Sequence, residues 1–185
     1  MLEHLLRTVS AAYSTLRHQP EAPHVRLAYS TLRIELWQQF QRLTRDIQVM
    51  FTTTDPYATS LAMFDDIYLR RQLRVYSAAD LPTGHPLLER APNGLPYNLI
   101  FRAVHDGLAH YPARHSFSMR GEFRAFKAHC RMLSLDAQWA VATETLGQNA
   151  YYHFNAPDGA PKSFAPQVAD LLPWILVNQA IYFQE

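Results

Sequence analysis

Residues able to do chemistry are concentrated between Asn98 and His153, which hold five of the nine histidines. The same stretch places isolated carboxylates inside apolar runs, Glu122 in GEFRAFKAHC and Glu144 in WAVATETLG. Burying an unpaired carboxylate is costly, so each needs a hydrogen-bond partner, a cation or water. Glu122 and His129 are two helical turns apart and return to one face, with Ala125 and Phe126 between them. Glu144 and Gln148 are helical neighbours preceded on the same side by Ala140. His105 shares a face with Asn98, Arg102 and Ala109, while Asp106 and His110 form a separate pair at a spacing of four. Three helices presenting such residues beside small ones can converge on a metal in a bundle interior. His105, Glu122, His129 and Glu144 make a two-His, two-carboxylate set suited to a divalent transition metal, Zn, Mn or Fe. Asp106, His110 and Gln148 then serve as proton-handling or ligand-orienting groups, and Arg102 or Arg120 meets a substrate phosphate. The competing readings are a buried polar network without metal and ordinary surface placement.

Other motifs exclude more than they establish. No Walker A, GxGxxG, HExxH or G-x-S-x-G pattern occurs, and HDGLAH has its second histidine one residue too late for a zincin. The pair His105-Asp106 is similar to the dyad of His-Asp phosphohydrolases, but only His85 and Asp136 offer themselves as the other ligands. Asp136 reads as a helix-start residue. Cys130 points about 100° from His129 around a helix and reads as a core thiol. Tyr151, Tyr152, Phe154, Tyr182 and Phe183 read as core aromatics and not as base-stacking platforms.

The elements that must position these residues follow from periodicity and breakers. Residues 2–17 and 25–47 are helical by pattern, separated by Pro20 and Pro23, which predicts an N-terminal hairpin over residues 1–48. The hexapeptide AYSTLR occurs in both helices, a sign of similar local packing and not of a duplicated domain. Over 49–97 the pattern predicts a small sheet, with strands at 47–54 and 72–77 in either relative direction, joined by a helix. Asp55-Pro56 caps that helix and Leu61, Phe64 and Tyr68 line one side. The Pro-rich loop 78–97 can lie across the centre as a flap with His85 available to it. Helices over 98–110, 120–133 and 135–151 form the central cluster, residues 98–153. A loop at 154–166 and an apolar closing helix kinked at Pro173 complete the chain through 185. The expected fold is a single mainly α (α+β) domain with a two- or three-stranded sheet.

Composition sets the outer limits. A chain of 185 residues at 48% hydrophobic content supports one well-buried core. Its net charge of +1 argues against DNA binding through a broad basic field. A single cysteine excludes an internal disulfide and cysteine-rich zinc modules. No apolar run reaches the ~20 residues that span a bilayer, and the amphipathic start with Glu3 is unlike a signal peptide.

Through PYATSLAMFDDI, NLIFRAVHDGLAH, GEFRAFKAHCRM and ATETLGQNAYYHF, more than half of the chain resembles an uncharacterised protein family of bacteriophages and mobile elements. The resemblance implies a viral or mobile-element origin and a location in the cytoplasm of an infected cell or in a virion. It also implies nucleotide chemistry, interference with host defence or a virion role, without choosing among them. The function expected from the residues is metal-dependent hydrolysis of a nucleotide or nucleic acid. The alternative is a non-catalytic protein that engages a virion or host partner, or sequesters a phosphorylated small molecule.

Overall fold

The structure, a computed structural model, describes residues 1–77, 81–156 and 167–184. It is a mainly α domain with a two-stranded sheet. Helix α1 (Leu2–Tyr13) stops short of the expected Arg17. Helix α2 (Pro23–Leu43) begins on Pro23, where a missing N–H costs nothing. The two do not form a hairpin against each other. α2 packs chiefly on α4 (Tyr97–Val104) and α6 (Leu135–Val141), and α1 on α7 (Gln148–Asn155). Residues 135–155 form one continuous helix in which a π-helical turn, Ala142–Gly147, joins α6 to α7. Its apolar surface is long enough to receive both N-terminal helices.

Strands β1 (Gln48–Thr52) and β2 (Gln72–Tyr76) pair in parallel, with Val49 opposite Leu73 and Phe51 opposite Val75. The crossover α3 (Ser60–Asp65) continues as a π-helical turn, Asp66–Arg70. It starts later than the Asp55-Pro56 expectation because Thr59 is the cap, its hydroxyl accepting the Ala62 N–H at 3.2 Å. The face is also different: Met63, Phe64 and Ile67 are buried, whereas Leu61 and Tyr68 are exposed. The extra turn rotates Asp66 inward, where its carboxylate meets Arg70, Arg74 and the Tyr57 hydroxyl. That buried network locks the crossover onto β2.

Helix α4 runs into a π-helical turn, His105–His110. Helix α5 (Met119–Cys130) follows, capped by the Ser118 hydroxyl, which accepts the Gly121 N–H. The closing helix α8 (Trp174–Tyr182) is not kinked at Pro173. It begins after that proline, whose extended backbone serves as the cap. Leu176, Val177 and Ala180 fix it to the core. Most of the 154–166 loop, and residues 78–80 of the Pro-rich loop, lie outside the described residues. Among the described residues no helix is long and apolar enough to cross a membrane.

Candidate metal centre

The three π-helical turns matter because they change which side chains meet. In an α-helix, residues five apart are separated by about 140° around the axis, and residues four apart share a face. Where the hydrogen bonds widen to i→i+5, residues five apart approach each other instead. In the turn 105–110 this brings His110 to His105, with ring centroids 4.8 Å apart at near right angles. Asp106 stays close enough to His110 to favour its charged form.

Glu122 arrives from α5, which packs on this turn. Its Oε2 lies 3.4 Å from His110 Nε2 and 3.7 Å from His105 Nε2. The ligand atoms of His105, His110 and Glu122 all lie within 4.8 Å of one another. Tetrahedral ligands about 2.1 Å from a zinc ion stand about 3.4 Å apart, so the two carboxylate–imidazole separations are near the edges of such a shell. His129, from the next turns of α5, stands behind the triad with its Nδ1 3.3 Å from His105 Nδ1. Asn149 completes the surroundings, donating from Nδ2 to Glu122 Oε2 at 2.9 Å.

Tautomers sharpen the picture. His110 Nδ1 faces the His115 carbonyl at 2.8 Å, and a carbonyl only accepts, so Nδ1 carries the proton. In neutral His110 the Nε2 lone pair therefore confronts a carboxylate oxygen. His105 Nε2 is buried without a hydrogen-bond partner, and so is His129 Nε2. A cation between the three ligand atoms removes this conflict, and so does a second proton on His110. Burial lowers the pKa of His105, and burial with the neighbouring histidines lowers that of His129 well below the usual range. Both are thus kept neutral, as a metal ligand and its supporting imidazole must be. Burial also opposes charge on His110, but Glu122 outweighs it and raises that pKa.

Glu144 does not join this group. The turn 142–147 directs it to a second buried cluster, where it accepts from the Tyr29 hydroxyl and from His85 Nε2, the latter at 3.0 Å. His85 Nδ1 accepts the Leu87 N–H, which assigns the His85 proton to Nε2. The expected flap histidine is thus not available: it is 2% exposed and spent on Glu144. The repeated AYSTLR explains part of this arrangement. Its tyrosines, Tyr13 and Tyr29, are both buried on the long helix, Tyr29 at Glu144 and Tyr13 at Gln148.

The remaining candidates are scattered. Arg102 is directed to the Tyr76 carbonyl at 3.1 Å, tying α4 to β2. Asp106 is half-buried, close enough to Arg102 and His110 to favour their charged forms. Arg120 is exposed at the start of α5. The Cys130 thiol is buried and its pKa is pushed up, which keeps it an inert core group. Asn149, His85 and Tyr29 are the participants that sequence reasoning missed. For Asn149 the only signal was its place beside Gln148, for Tyr29 the AYSTLR repeat, and for His85 its position in a loop expected to cross the centre, with no sign that its partner would be Glu144. Compared with known protein families, with curated proteins and with solved structures, the chain matches none.

Proposed function

We propose that the chain is a metal-dependent hydrolase of a nucleotide or nucleic acid, with His105, His110 and Glu122 holding one divalent ion of the Zn, Mn or Fe type. The observation that carries this reading is the convergence of two imidazole nitrogens and a carboxylate oxygen in the interior, with His105 Nε2 buried and without a hydrogen-bond partner. Three protein ligands, leaving a position open, is the pattern of catalytic sites. When bound, such an ion supplies Lewis acidity and lowers the pKa of a coordinated water. The chain's own groups do the rest. His129 engages the far nitrogen of His105, the His115 carbonyl fixes the tautomer of His110, and Asn149 orients Glu122. Asp106 is the nearby carboxylate suited to proton transfer.

The test is elemental analysis of tag-free protein beside His110→Ala. About one equivalent of Zn, Mn or Fe is expected, lost in the variant together with any nucleotide hydrolysis. No metal in either preparation after reconstitution overturns the proposal.

One observation favours a second reading, a non-catalytic phage-type protein that engages a virion or host partner. His105, His110 and Glu122 are only 8%, 1% and 7% exposed, so a bound ion can serve the fold alone. Stoichiometric metal with no turnover of phosphoesters, and loss of the fold in chelator, would select it.

A further inference from the structure

We propose that a basin between residues 113–118 and the outer face of α5 binds a compact oligophosphate group. As the substrate-holding half of the hydrolase it rests on that reading for its purpose, but not for its physical case. The basin has a volume of about 280 Å³ and is lined by Arg114, Arg120 and Arg124, with His115, Ser116 and Ser118 between them. That is close to the lower end, about 300 Å³, of small-ligand sites. Its lining contains no carboxylate among the described residues. The one acidic residue of the segment 113–124, Glu122, is turned inward to the histidines.

Three guanidinium groups are thus gathered in a chain whose net charge is only +1. Arg120 and Arg124 sit four apart on α5 and so share its outer face. Arg114 is held by stacking, with its guanidinium carbon 5.3 Å from the Phe64 ring centroid and 5.5 Å from that of Tyr111. Stacking leaves the N–H edge of a guanidinium free to bond an anion. Hydroxyls and forked guanidinium donors suit phosphate oxygens. Apart from the His115 imidazole no ring lines the basin, so recognition falls on phosphates and not on a base. The link to the metal centre is short. His115 supplies the carbonyl that orients His110, and Gly121 of the basin floor precedes Glu122.

The experiment is calorimetric titration of chelator-treated, desalted protein with tripolyphosphate, with ATP, and with a single-stranded oligonucleotide. Saturable one-to-one binding of tripolyphosphate is expected, with ATP bound about equally. Affinity should fall on the order of tenfold or more in Arg120→Ala/Arg124→Ala. The charge-conserving Arg120→Lys/Arg124→Lys should also bind more weakly, because lysine lacks the bidentate fork. These arginines are exposed, so far-ultraviolet dichroism and melting are expected to be unchanged in both variants. Equal binding by wild type and variants overturns the proposal, as does preference for the oligonucleotide over tripolyphosphate. Because metal is absent throughout, failure of the hydrolase reading leaves this result unaffected, and binding without metal uptake would separate the two.

Discussion

His110 is the residue on which the metal and metal-free interpretations differ in sign. Without metal, its Nε2 can face Glu122 comfortably only when protonated, and Glu122 raises its pKa against the opposing effect of burial. A histidine raised in the folded state contributes stability that is fully present below about pH 6.5 and is lost as the pH rises through its folded value. The difference in unfolding free energy between wild type and His110→Ala, measured in chelator, is therefore expected to shrink as pH rises above that point. A flat difference would refute the imidazolium pairing. Using the difference matters because His105 and His129 are depressed. Their contribution is present above about pH 6.5 and fades as the pH falls toward their folded values. Metal affinity follows the opposite course to the His110 pairing, weakening as pH falls because protons compete for the ligand nitrogens. Glu144 has no such ambiguity. Its replacement by alanine leaves Tyr29 and His85 only the longer contacts to the Val168 carbonyl, at 3.3 and 3.2 Å, at a cost of about 1–3 kcal/mol. Chemical denaturation should show that loss while leaving any metal stoichiometry intact.

The π-helical turns are the elements that make these residues meet, and two of them contain a glycine packed tightly against a neighbour. A Cβ at Gly147 would lie 2.5 Å from Tyr13 Cδ2, and one at Gly107 would lie 2.6 Å from Leu43 Cδ1. The first obstacle is a rigid ring that is itself buried, and the second is the end of a flexible side chain. Gly147→Ala is accordingly expected to destabilise by about 1–3 kcal/mol, with Gly107→Ala costing less. In a protein of this size each kcal/mol lowers Tm by about 2–4 °C, so paired thermal melts can rank them. A reversed order would mean that the turn at 142–147 yields more readily than its packing implies. The crossover α3 shows the same device without a glycine. There the π-helical turn brings Asp66 inside, and its three partners neutralise it.

At the scale of the whole molecule, one core runs from α1 through α8. Deleting residues from 174 onward removes the buried Leu176, Val177 and Ala180. Each large apolar side chain contributes about 1.5–3 kcal/mol, so the truncated chain should melt well below the full one or fail to fold. Limited proteolysis would reveal it, and an unchanged melting curve would mean that α8 is dispensable to the core. The sequence by itself determined the mainly helical class, the two short strands and the closing apolar helix. Apolar period, β-branched runs and prolines act over a few residues and need no distant partner. It also singled out His105, Glu122 and His129, because a charge or imidazole in an apolar helical face must find company. Only the tertiary structure decided who that company is. A sequence does not display the π-helical turns that add a spacing of five to one of four, so His110 joined His105. Nor does it display pairings across 59 and 115 residues, by which Glu144 met His85 and Tyr29. Hydrogen bonds between residues so far apart depend on how whole helices stack, and that is set by burying the entire core at once.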